Sequence, residues 1–148
     1  MSSSSNLSEN ERATGFLDVA LKMQQTFFGA LSKMNVAGKT IVVKKIVDYA
    51  SFIAKDRGCA PGEIIWLRPA PFSIDHNMSV LAAIKIIGDE ADRKEDQFGS
   101  IAALILRAMT LISHAKTIAQ NEEVKTQAFM LSHALGNFID ELMKETKS

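Results

Sequence analysis

The chain has 148 residues, 47% of them hydrophobic and 23% charged, the size and composition of one ordinary globular domain. A chain of this length buries about 70% of its unfolded surface, so it needs neither a metal nor a disulfide to fold. Its 17 Lys and Arg balance 17 Asp and Glu, which excludes a strong overall field toward nucleic acid or anionic lipid.

The charge is mildly split. Residues 1–60 carry eight basic and five acidic side chains, and residues 61–148 carry nine and twelve, giving +3 and −3. That imbalance is too small to imply a polyanionic partner. Cys59 is the single cysteine, so no internal disulfide forms and nothing points to an oxidising compartment. The first ten residues are polar and Ser-rich and lack the apolar core of a signal peptide. The most apolar run, residues 101–112, is broken by Arg107 and is shorter than the roughly 20 residues of a membrane span. These features set the expectation of a cytoplasmic protein without a membrane span.

Residues 1–8 hold too few apolar side chains to offset the entropy of ordering and are expected to form a disordered tail. Residues 9–148 are expected to form a single helical domain. The first helix is placed from about Ser8 to Met34, because Phe16, Ala20, Met23, Phe27, Ala30 and Met34 line one face at 4-3-4-3-4 spacing. Leu17, Leu21, Phe28 and Leu31 widen that stripe. After a turn at residues 35–38, a second helix is expected over residues 39–56, with Val43, Ile46, Val47, Ala50, Ile53 and Ala54 inward and Gly58 as its cap.

All three prolines, Pro61, Pro69 and Pro71, fall in residues 58–77 and exclude helix across most of that stretch. A third helix follows from Asn77 or Ser79 to about Arg93, carrying Val80, Ile84, Ile87 and Ala91 on one face. Acid disfavours a helix C-terminus and favours an N-terminus. The acidic run at 89–96 therefore marks a junction near Lys94, with Asp96 or Ser100 capping the fourth helix. That helix, to about Ala119, is the most apolar and is expected to be the buried centre. Its narrow polar side holds Arg107, Thr110, His114 and Thr117. Asn121 caps the last helix, whose Val124, Ala128, Leu131, Leu135, Phe138 and Leu142 again repeat at 4-3-4-3-4. The predicted fold is an all-α five-helix bundle with one long Pro-containing loop between helices 2 and 3.

The chemical motifs are weak. Ala37-Gly38-Lys39-Thr40 lacks the earlier glycine and the preceding strand of a phosphate loop. His76, His114 and His133 have no metal-ligand spacing; His133 reads as a surface residue and His114 as partly buried with a hydrogen-bond partner. Asp89, Asp92 and Asp96 share a helical face but do not match a calcium loop. Cys59 sits at a helix C-terminus, without the dipole that activates a thiol. The lysines of the second helix scatter around it, unlike a nucleic-acid recognition face. No catalytic residue, metal site or cofactor is implied.

The 58–77 loop is the strongest functional lead, since long unstructured loops in compact domains are usually functional or disordered, and its Ile64, Ile65, Trp66, Leu67, Phe72 and Ile74 argue against disorder. Either it packs over the bundle as a lid, or it displays Trp66 and Arg68, residue types enriched at interface hot spots. The expectation is mixed: Trp66 anchors the loop, and Arg68, Asp75 and His76 face a partner. The function expected is that of a small non-catalytic helical accessory or adaptor protein. It would act through contacts with another protein or with a second copy of itself in a homodimer. The alternative is a bundle that binds a small apolar ligand among its seven Met and eight Phe. An enzyme using Arg68, Asp75 and His76 ranks last.

Overall fold

The computed structural model describes residues 2–58 and 74–147. They form five helices: α1 (Ser2–Ser32), α2 (Val36–Arg57), α3 (Ile74–Arg93), α4 (Gln97–Ile118) and α5 (Glu122–Thr146). The fold is the all-α five-helix bundle that the periodicity predicts, with no strand among the described residues. Residues 59–73, which include Cys59, Trp66 and Arg68, lie outside the described residues.

Local chemistry sets the helix ends. Asn35 caps α2, its side chain accepting from the Gly38 amide at 2.9 Å. What the sequence suggests as a turn at 35–38 is thus the first turn of the helix, because an extended Asn ahead of three amides satisfies one of their orphan donors. Gly58 ends α2 in the left-handed region, φ 70 and ψ 34, which costs glycine nothing. Asp96 caps α4 through the Gly99 amide at 3.0 Å, and Asn121 caps α5 through the Glu123 amide at 2.8 Å. Ser100, the other cap candidate, instead donates to the Asp92 Oδ1 at 2.5 Å. α1 starts earlier than the expected position near Ser8, since extending a helix already anchored by packing adds hydrogen bonds without a new nucleus.

α4 is the centre. α1, α2, α3 and α5 all pack on it, and Ile105, Leu106, Met109 and Ile112 are fully covered. Although residues 101–112 alone are too short for a span, the whole of α4 is long and apolar enough to cross a membrane. However, 67% of its apolar window is buried inside the protein, so those side chains already have protein neighbours.

The outer helices form an incomplete ring. α1 meets α5, α5 meets α2 and α2 meets α3, while α1 and α3 make no extensive contact along their lengths. α1 runs antiparallel to α4. The Asn10 carboxamide near its start accepts from the Gln120 and Asn121 amides at 3.0 and 3.1 Å, tying down the α4–α5 connection. Phe138 of α5 stacks obliquely on Phe28 at 4.4 Å and lies 6.0 Å from Phe27. α2 is fastened by Lys39 to Glu145 at 2.6 Å and by Lys45 to Asp96 at 2.8 Å.

Several side chains depart from the expected pattern. Val47, Leu21 and Phe28 are exposed rather than inward, since each lies at the edge of its apolar stripe, beyond the width that one neighbouring helix covers. Thr110 and His114, placed by periodicity on the polar side of α4, are buried. Thr110 satisfies its hydroxyl by donating to the Leu106 carbonyl at 2.9 Å. His114 has no hydrogen-bond partner on either ring nitrogen, contrary to the expected partly buried, bonded histidine. Instead its ring packs against Phe16 at 5.1 Å.

Candidate functional site

The gap in the ring exposes a strip of the central helix. It forms an open groove of about 230 Å³ between α1, α3 and α4. Ile84, Ile101, Ala103 and Leu104 give it an apolar floor, and Lys85, Asp89, Asp92, Ser100 and Arg107 give it a polar rim. Small residues bring α3 close at this point. A Cβ built on Gly88 would stand 3.4 Å from the Ala103 Cβ, so the two helices cross at near contact and α3 cannot lean over the strip.

The rim charges are arranged unequally. Lys85 and Asp89 pair with each other at 2.9 Å on the surface of α3, an exposed i,i+4 pair that contributes little. The Asp92 carboxylate accepts the Ser100 hydroxyl. Arg107 is exposed and makes no ion pair among the described residues. An arginine in the middle of the most apolar helix, open to solvent and unmatched, leaves five donors for an incoming acceptor.

The acidic trio Asp89, Asp92 and Asp96 does not converge. Asp89 is held by Lys85, Asp92 by Ser100, and Asp96 by Lys45 and the Gly99 amide. The Asp96 carboxyl is held below its ordinary range, first by the Lys45 ammonium and then by the Gly99 amide. No group of three His, Cys, Asp or Glu residues among the described residues is placed to hold a metal ion.

Of the residues singled out from sequence, Trp66 and Arg68 lie outside the described residues. Asp75 and His76 sit in the first turn of α3, exposed and half-buried respectively. They are neighbours about 100° apart around the helix axis, so they do not share a face. That end of α3 is tied to the end of α4, where the Asn77 carboxamide donates to the Thr117 hydroxyl at 3.5 Å. The groove lies toward the other end of α3, so these residues belong to a different part of the surface. Sequence reasoning did not single out the groove; the signal that could have found it is Arg107, the charge that interrupts the apolar run of α4.

Elsewhere, burial depresses the Lys116 ammonium, which lies 5.8 Å from the Phe129 ring. These two residues line a shallow depression with Lys125 and Thr126.

Fold and groove together define a helical bundle that carries an open, apolar-floored and charge-rimmed groove. No protein-family model, curated protein or solved structure matches the chain.

Proposed function

We propose that the protein is a non-catalytic helical adaptor that works through protein contacts, and that the α1–α3 groove is its contact surface. The observation that carries this reading is the exposed strip of α4. Half-buried Ile101 and Leu104 lie beside Arg107, which makes no ion pair among the described residues, on a helix most of whose apolar side chains are covered. Apolar surface flanked by an unmatched arginine is the composition of an interface hot spot. The groove is partly open to solvent and not an enclosed cavity, which suits the face of an incoming helix better than an enclosed small molecule.

The test is site-specific photocrosslinking in the source cell. A photoreactive residue at Leu104 is expected to give one discrete protein adduct that is lost when Arg107→Glu is added. The same residue at Asp140, on the exposed side of α5, is expected to give none. No adduct at position 104, or equal adducts at both positions, overturns the reading.

A further inference from the structure

We propose that the occupant of the groove is the outward face of α2 from a second copy of this chain. The proposal rests on the groove reading above and adds the identity of the partner. Its first support lies on α2. Asp48, Phe52 and Lys55 fall at i, i+4 and i+7, one face of a helix. All three are exposed, Phe52 at 66%. Neither Asp48 nor Lys55 makes an ion pair among the described residues. An exposed phenylalanine between an acid and a base that make no ion pair is a ridge that no helix among the described residues covers.

The second support is the match in spacing. Ser100, which carries the Asp92 carboxylate, precedes Arg107 by seven residues on α4, a rise of about 10.5 Å. Asp48 precedes Lys55 by the same seven residues, and hence by about the same 10.5 Å. Laid antiparallel to α4, α2 of the second copy sets Asp48 against Arg107 and Lys55 against Asp92. Phe52 then falls over Leu104 and Ala103, on the apolar floor. Antiparallel placement also opposes the two helix dipoles favourably.

Ridge and groove are different surfaces, so the contact is head-to-tail and each copy both donates and accepts. One helix face in one groove buries less than the roughly 1,600 Å² of a standard interface, and both charge pairs are solvent-exposed. The association is therefore weak, reversible and sensitive to salt.

Sedimentation equilibrium tests it. The mass is expected to rise from the 16.2 kDa chain to at least about twice that value between about 10 µM and 1 mM protein at low salt. Asp48→Lys alone and Arg107→Glu alone are each expected to stay at the single-chain mass. Mixed together they are expected to associate, because the first retains a native groove and the second a native ridge. A wild-type chain that stays single, variants that associate as the wild type does, or a mixture that stays apart overturns the proposal. If the chain stays single while the Leu104 photocrosslink captures a different protein, the self-contact falls and the groove reading stands. If neither is seen, both fall.

Discussion

Two strips of the same helix are treated differently by the bundle. The face of α4 that carries Ile105, Met109 and Ile112 is fully enclosed, whereas Ser100, Leu104 and Arg107 face the gap between α1 and α3. Leu104 and Ile105 are adjacent and equally apolar, so the difference does not come from their chemistry. It comes from how closely neighbouring outer helices pack: the chain closes α1 on α5, α5 on α2 and α2 on α3, and brings α1 and α3 into no extensive contact. The enclosed strip holds the fold together. The open strip remains available for contact.

The largest effect is expected at the enclosed strip. Ile105→Ala should lower unfolding free energy by about 2–5 kcal/mol, through lost burial and the cavity left behind. Chemical denaturation would measure it, and a negligible loss would mean that the enclosed strip is not the core.

His114 lies on the same helix, fully buried and without a hydrogen bond. Burial is the main cause of its depressed imidazole pKa, and the nearby Arg12 adds to it. The folded pKa is thus below the ordinary 6.5 of the unfolded chain. Stability from this residue is complete above pH 6.5 and is lost as pH falls, since the unfolded state takes up the proton first. One proton gives a slope of at most about 1.4 kcal/mol per pH unit. Denaturation midpoints measured from about pH 7.5 down to 5 should fall for the wild type and flatten for His114→Leu. Equal slopes would show that the buried imidazole is not the group responsible.

The sequence defines the bundle well because helical periodicity is local. Helices α1 and α5 and the caps Asp96, Asn121 and Gly58 all appear in the structure. The predicted rows are buried only in part. Ala20, Met23, Phe27, Ala128, Leu135 and Leu142 are covered, Phe16, Ala30, Met34, Val124, Leu131 and Phe138 are half-buried, and Ile139 joins the core unpredicted. What it hides is coverage. Whether Leu104 is enclosed depends on where α1 and α3 end up, and no spacing within α4 encodes that. His114 shows the same effect in reverse. Periodicity assigns it to a polar side, but packing against Phe16 of α1 covers it. The groove itself is built from α1 and the consecutive helices α3 and α4, so Arg107 meets Lys85 and Asp92 only through the way α3 folds back on α4.

A smaller loss is expected at the junction of α3 and α4. Asp96→Ala removes the cap on the Gly99 amide and the ion pair with Lys45, at a cost of about 0.5–2 kcal/mol. Because its folded pKa lies below the ordinary 3.8, the contribution persists above that value and is lost only in stronger acid, as the carboxylate takes up its proton. That window is separate from the one set by His114. A double variant should therefore show two independent departures from the wild-type pH profile, and a single merged transition would argue that the sites are coupled.

The smallest effect on folding is expected at Leu104, and it most sharply separates the two strips. Leu104 is only half-buried and lines a groove already open to solvent. Truncating it leaves no sealed cavity, because water reaches the space that the side chain vacates. Only the transfer term for a partly covered side chain is lost, so Leu104→Ala should cost less than about 1 kcal/mol. The neighbouring Ile105→Ala loses both transfer and cavity terms. A side-by-side denaturation series on the two variants tests the architecture without reference to any partner. If Leu104→Ala destabilises as strongly as Ile105→Ala, the strip is covered in solution and the groove does not exist as a surface. If folding barely changes while self-association weakens, the side chain is held at the surface for contact, which is the role that an apolar residue beside an unpaired Arg107 fits best.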